Sequence, residues 1–324
     1  MKTRTKVGLI IMASILAMLG VAVYIYYFTA SYPEFEAIAV KDFNIPGLET
    51  KFVPQGIDYD ENTDNFLVSG YMSDGSASRF YVVNKTTKKT IKYFTLTVEG
   101  KAYKGHASGV AINGEFAYVV SEGKVFRFNF TTALTSTKTE IKVIDYFETN
   151  NGADFVLINN NQLIVGEFHN GKKYDVPASH KIETSSGTNH ALALIYNLNP
   201  ANDYGIESTT PVAGLSLPNQ VQGMSFTKDG NIILSTSFSV PDSKLLIYEN
   251  VFNSSPTENL TINEVSIPVY VLSKDNRLDV ITAPTMSEEL VLVDDKVYLL
   301  FESNCKKYRL INRTRLSNVY ALDI

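Results

Sequence analysis

The sequence predicts an all-β fold built as a ring of repeated sheets, and three observations predict it. Tyr and Phe are abundant, 19 and 18 of 324 residues, while Trp is absent and long runs of helix formers are scarce. Aromatic and β-branched residues favour strands. One phrase also returns along the chain. It reads most clearly over residues 53–85. Pro54-Gln55-Gly56 leads into strand-like Ile57-Asp58-Tyr59, a polar turn over 61–65 and a second strand over 66–71. A Ser/Gly/Asp loop and a third strand over 79–84 follow. Finally, the two ends are complementary. The last repeat stops after its third strand, and residues 36–45 form a strand-like segment with no repeat of its own. Self-similarity at a period of about 45 to 70 residues is the mark of a β-propeller with four strands per blade.

The N-terminus comes first. Residues 1–6 carry Lys2, Arg4 and Lys6, and residues 7–30 carry no charge. As a helix rising about 1.5 Å per residue, the uncharged run reaches about 36 Å, enough to cross a hydrocarbon core of about 30 Å. Tyr24, Tyr26 and Tyr27 sit where an interfacial belt would lie, and the positive flank places the N-terminus inside. A cleaved signal peptide is the competing reading, but the apolar run is longer than a signal core and Phe28-Thr29-Ala30 is a poor cleavage site. The expectation is a single-pass anchor over 7–30, a stalk over 31–35 and an extracytoplasmic propeller over 36–324.

Five inner strands begin near Ile57, Val110, Phe155, Met224 and Leu290, each followed by a turn of Asn, Asp or Gly and a second strand. Third strands fit at 124–130, 191–198, 244–248 and 318–324. Fourth strands fit at 91–97, 141–147, 212–217 and 268–272. The segment 36–45 then completes the last blade and removes the open sheet edges. This gives five blades. Six require a hidden repeat within 172–222 or 250–290, and a two-sheet sandwich is the remaining alternative.

Composition excludes some partners. The net charge is −5 and no basic stripe is visible, which argues against nucleic acid. Cys305 is the single cysteine, so neither a disulfide within the chain nor a cysteine metal site can form. Five Asn-x-Ser/Thr sequons occur, at Asn84, Asn129, Asn253, Asn259 and Asn312. They matter only where secreted proteins are glycosylated.

Blade strands alternate in direction, so inner-strand starts and second-strand ends share one face. The starts carry Gln55, His106, Asp154, Gln222 and Glu288-Glu289. The ends carry Tyr71, Glu122, Glu167 with His169, Ser237 and Glu302. Such convergent polar groups in a concave mouth make the default binding site. The expected ligand-binding set is Gln55, His106, Glu122, Asp154, Glu167, Gln222, Glu288 and Glu302, with His106 the candidate general base.

Each residue also has a bland reading. Gln55 and Gln222, each before a Gly, can simply tie inner strands together. His106 can be a satisfied structural histidine, and Glu122, Glu167 and Glu302 can be solvated loop ends. Asp154 and Glu288 are costly near the axis unless paired or metal-bound. Hard oxygen donors would suit Ca²⁺ better than a transition metal, with Asp154 and Glu288 as candidate ligands, although no spacing is a metal motif. Ser108 lies near His106, but no nucleophile elbow occurs. The stretch 170–190, with His180 and His190, lies over the same mouth as a lid, a binding loop or a mobile tract.

Pro54-Gln55-Gly56-Ile57, Gln222-Gly223-Met224-Ser225-Phe226, Ser243-Lys244-Leu245, Met286-Ser287-Glu288-Glu289 and Leu300-Phe301-Glu302-Ser303 resemble the NHL-, gluconolactonase- and strictosidine-synthase-like propellers. Bacterial secreted or membrane-anchored members are the nearest in character. The resemblance spans about residues 50 to 310 and is mostly structural. It implies a mouth-held divalent metal with acidic ligands, a part that Asp154 and Glu288 would play. The functional expectation is an anchored propeller whose mouth binds a glycan, peptide or small molecule. A metal-dependent hydrolase or lactonase using the same mouth is the first alternative, and a scaffold binding a partner protein on its rim is the second.

Overall fold

A computed structural model describes residues 2–185 and 187–324, with the side chains of residues 2–6, 9, 10 and 28 outside the description. The fold is mostly β, and its strands group into successive four-stranded antiparallel sheets. The first holds Phe52–Asp60, Asn65–Met72, Arg79–Asn84 and Thr90–Val98. The second holds Gly109–Asn113, Phe116–Ser121, Lys124–Asn129 and Glu140–Glu148. The third begins Phe155–Asn159, Gln162–Gly166, Ala191–Asn197 and Ala213–Leu217. The fourth holds Val221–Phe226, Ile232–Thr236, Ser243–Tyr248 and Arg277–Ala283. In the fifth, Ser287–Val293, Lys296–Phe301 and Asn318–Leu322 are joined by the N-terminal strand Ala39–Asn44. The first strand of each sheet packs beside the first strand of the next, and Ser287–Val293 returns to Phe52–Asp60, so the inner strands close a ring. This is propeller architecture.

Closure by the N-terminal strand matches the sequence expectation. Ala39 pairs with Leu322 and Lys41 with Tyr320 in antiparallel register. Buried Phe43 anchors that strand, its ring centroid 4.9 Å from Phe66 of the first sheet, while Phe66 lies 4.8 Å from Tyr298 of the fifth. Burying one such ring contributes about 1.5–3 kcal/mol.

Three expectations are corrected. The fourth strand of the fourth sheet is Arg277–Ala283, not 268–272. The latter segment belongs to Val265–Val271, which pairs in parallel with Ala213–Leu217 and extends the third sheet together with Glu258–Ile262. The supposed stalk is packed structure. Pro33–Ile38 is a helix started by its proline, Phe35 is buried, and the buried Tyr32 donates its hydroxyl to Asp242 Oδ1 at 2.7 Å.

The third correction concerns the membrane. A helix Lys2–Phe28 forms, but among the described residues no helix is long and apolar enough to cross a membrane. The single-pass placement, with its N-terminus inside and propeller outside, is therefore withdrawn. Two of the tyrosines read as an interfacial belt are engaged with the propeller. Tyr26 and Tyr27 donate to the carbonyls of Ile311 at 3.2 Å and Leu310 at 3.1 Å, and the Arg313 guanidinium lies 5.5 Å from the Tyr26 ring centre. The side chains of the basic flank, 2–6, lie outside the described residues, as does Ser186 of the 170–190 stretch. The rest of that stretch is ordered as a short 3₁₀ turn, Ala178–His180, and a hairpin of Ile182–Thr184 with Gly187–Asn189.

Candidate functional site

The inner strands enter the ring through tight turns. Ala107, Ala153 and Met286 take positive φ, +50°, +51° and +62°, directly before the strands of the second, third and fifth sheets. Non-glycine residues seldom adopt this backbone, and it clusters at sites. The turns open onto a cavity of about 450 Å³, within the range of small-molecule sites. Gln55, His106, Glu122 and Asp154 line it, as do Gln222, Glu288 and Glu302. The structure thus brings together all of the expected set but Glu167.

Glu167 is buried outside that cavity. Its Oε1 meets His180 Nδ1 at 2.8 Å and accepts the Leu192 N–H at 2.9 Å, and its Oε2 accepts the Gly152 N–H at 3.2 Å. It fastens the 170–190 loop to the third sheet. His169 is also buried, its ring stacked on His190 at 4.4 Å, and both Nδ1 atoms meet Asn219 Oδ1.

Glu288 and Glu302 are neighbouring carboxyls in the wall of this cavity, each close enough to feel the other. Burial raises both above the ordinary carboxylate range. Glu302 reaches about 7, held back by the Lys307 charge and the Gln55 amide, while Glu288 goes well above its usual value because burial is joined by the Glu302 charge. Two neighbouring buried carboxyls cannot both ionise readily, so the pair holds on to a proton that an isolated carboxyl would lose. Gln55 Nε2 donates to Glu302 Oε2 at 2.9 Å and to its neighbour's carbonyl, Pro54 O, at 2.7 Å, which holds the Glu302 carboxyl in place.

His106 stacks on Tyr71 at 4.4 Å, and its Nδ1 lies 3.0 Å from Ser108 Oγ. His106 is exposed at the mouth, and desolvation of its ring by the cavity wall, joined by the Lys307 charge, lowers its pKa to about 4. Burial raises Asp154 to about 6, against the Phe168 N–H that it accepts at 2.8 Å, and the Glu167 charge adds to the rise.

Sequence reasoning placed Tyr71 at the mouth but missed Lys307 beside it and the other walls, Tyr308 and a second aromatic group. Tyr71 and Tyr308 bring their hydroxyls within 3.4 Å, and Lys307 donates to the Tyr71 hydroxyl at 2.6 Å. Phe168, Tyr174 and Phe238 form a second aromatic group, with centroids 5.4 to 6.1 Å apart. A signal was available. Loops between second and third strands lie over the mouth in every repeat, so the same argument that singles out 170–190 applies to 302–317.

The metal expectation does not fit. Among the described residues no group of three or more His, Cys, Asp or Glu is placed to hold a metal ion, and burial pushes the Glu288 carboxyl well above the range in which it would offer a charged ligand.

One further carboxyl occupies the axis. Glu289 is buried. Its Oε2 accepts the N–H groups of Ile57 at 2.8 Å and Val110 at 3.1 Å, and its Oε1 accepts that of Val156 at 3.2 Å. Three inner strands are thereby tied to a fourth. Gly56, Gly109 and Gly223 make room, since a Cβ on them would come within 3.0, 2.6 and 2.6 Å of Glu289 atoms.

No protein-family model and no curated protein sequence matches this chain. Among solved structures, glutaminyl cyclase of Myxococcus xanthus is similar with a TM-score of 0.48 and 9% identity, over 88% of this chain and 93% of that one. The PQQ-bound aldose sugar dehydrogenase of Streptomyces coelicolor is similar with a TM-score of 0.48 and 12% identity, over 88% and 96%. Neither likeness bears on the chemistry of this cavity.

Proposed function

We propose that the mouth cavity is the active site of an acid–base hydrolase, lactonase- or esterase-like, acting on a small carbonyl substrate. The observation that carries this reading is the placing of the buried Glu288 beside Glu302 in the same cavity as His106, with burial pushing the carboxyls up and the imidazole down. A site with one group kept protonated and another kept free of a proton is equipped to give and take protons in one turnover.

In this scheme His106 takes a proton from water as the water oxygen bonds to the substrate carbonyl carbon. The Tyr71 hydroxyl, polarised by Lys307, steadies the oxygen that becomes negative. The C–O bond to the leaving oxygen then breaks, and Glu288 gives that oxygen its proton. Return of the proton from His106 to the carboxyl pair restores the site. Gln55 positions Glu302 so that Glu288 remains the acid. The resemblance of the Pro54-Gln55-Gly56 and Met286–Glu289 segments to gluconolactonase-like propellers favours the hydrolytic reading over a scaffold, while the donor geometry speaks against the metal that resemblance implies.

The test is acid release by the full chain from a panel of lactones and aryl esters, followed in a pH-stat. Turnover of at least one lactone or ester, lost in Glu288→Gln, supports the proposal. Rates equal in the two proteins, or no turnover across the panel, contradict it and leave ligand binding as the reading.

A further inference from the structure

A second cavity, of about 650 Å³, opens at the opposite ends of the inner strands and shares no lining residue with the mouth. Glu289 stands between the two, since the residues whose amides it binds, Ile57, Val110 and Val156, line this second cavity. Its deep wall is aliphatic, with those three residues and Leu290 all buried. Asp58 lies in that wall, half-buried, its Oδ2 accepting the Ile112 N–H at 2.6 Å.

The charges around Asp58 are one-sided. Lys228 at the rim gives its ammonium to Asp323 Oδ1 at 2.7 Å. The Asp60 carboxylate caps its own turn, accepting from Asn62 and Thr63, and Glu61 is exposed at the rim. Behind the wall, Glu289 adds a further acid close enough to feel Asp58. The ring of Tyr59 completes the facing titratable groups.

We infer that this second cavity binds a small amphiphilic ammonium, its alkyl chain on the aliphatic wall and its charged nitrogen on the Asp58 carboxylate. The inference does not depend on the chemistry assigned to the mouth. A neutral alkyl ligand would bury Asp58 with no counter-charge, which is costly. An anion would meet Asp58, Asp60 and Glu61. A hydrated metal ion would find one wall carboxylate and an aliphatic surface that offers it no ligand. An alkylammonium satisfies both parts of the lining, and the Phe226 ring offers it further cation–π contact. Burial, with the Asp60 charge adding, raises Asp58 to about 7 against the Ile112 and Tyr59 amides. A bound cation lowers it, so binding at pH 6 releases protons.

The experiment is calorimetric titration of the full chain at pH 8 with hexylammonium, hexanol and hexanoate. Hexylammonium is expected to bind at least tenfold more tightly than the other two. Asp58→Asn, which keeps an oxygen for the Ile112 amide, is expected to weaken it at least tenfold, while Glu302→Gln in the mouth leaves it unchanged. The three-ligand comparison on the unaltered chain needs no variant to fold. Equal affinities, no hexylammonium binding at millimolar concentration, or loss of binding in Glu302→Gln alone would overturn the inference.

Discussion

The Gln55 side-chain amide donates to Glu302 Oε2 at 2.9 Å inside the mouth cavity, where Glu302 lies beside the buried Glu288. Glu288 belongs to the fifth sheet and Glu302 directly follows that sheet's second strand, while Gln55 reaches Glu302 from the first sheet, so ring closure supplies the amide that holds this carboxylate.

His106 sets the acid limb of activity. Its folded pKa, about 4, lies below the ordinary histidine value of about 6.5. The base is therefore protonated, and activity lost, only as pH falls through about 4. The acid limb of kcat/KM is expected at about pH 4, with any inflection near 7 belonging to Glu302 and absent in Glu302→Gln, and His106→Ala is expected to abolish turnover while leaving the Tm within a few degrees. An acid limb near about 6.5 that persists in Glu302→Gln would remove His106 from the role of base.

Asp154 makes stability fall with rising pH. Its folded pKa, about 6, lies above the unfolded value of about 3.9, so its contribution is fully present below about pH 4 and is lost as pH rises through about 6. Asp154→Asn keeps an acceptor for the Phe168 amide and cannot ionise. Urea melts between pH 4 and 7 are expected to show the variant gaining on the parent by at most about 2–3 kcal/mol. Parallel profiles would refute the shift.

Glu289 holds the ring together. Glu289→Ala leaves three buried N–H groups without acceptors and is expected to cost about 3–5 kcal/mol in chemical denaturation, with Glu289→Gln milder. Gly109→Ala places a Cβ 2.6 Å from Glu289 Oε1 and 2.8 Å from Val156 N, and about 1–3 kcal/mol is expected from overpacking. A Gly109→Ala protein as stable as the parent would mean that the axial carboxyl is free to move.

Chelation is expected to change nothing. With no three-donor cluster among the described residues, EDTA followed by added Ca²⁺ is expected to leave the Tm in place. A ligand held only by the folded state at a hundred times its Kd would contribute about 2.7 kcal/mol, so a bound cation would be easy to see. A drop in Tm restored by Ca²⁺ would return Asp154 and Glu288 to the role of ligands.

Much of this was legible in the repeats. Period-two patterning set the inner strands, and the orphan segment 36–45 matched the missing strand because an unpaired edge needs a partner. Glycines at 56, 109 and 223 recur at inner-strand starts, and their purpose becomes visible only once Glu289 is seen among them. Strand direction was enough to gather Gln55, His106, Asp154 and Glu302 at one mouth. It could not show that Glu167 turns away to His180, because a side chain buried beside a long loop is decided by the loop. Val265–Val271 went to the wrong sheet because a strand pattern carries no record of its neighbour. Tyr26 and Tyr27 were misread for a similar reason: hydropathy does not reveal that the carbonyls of Ile311 and Leu310 await them.

The proton on Glu288 is the centre of the account, and infrared spectroscopy can see it directly without a substrate. Difference spectra between the parent chain and Glu288→Gln at pH 8 are expected to contain the carbonyl stretch of a protonated carboxylic acid, lost in the variant. Absence of that band, with both carboxyls ionised at pH 8, would contradict the acid–base reading of this cavity.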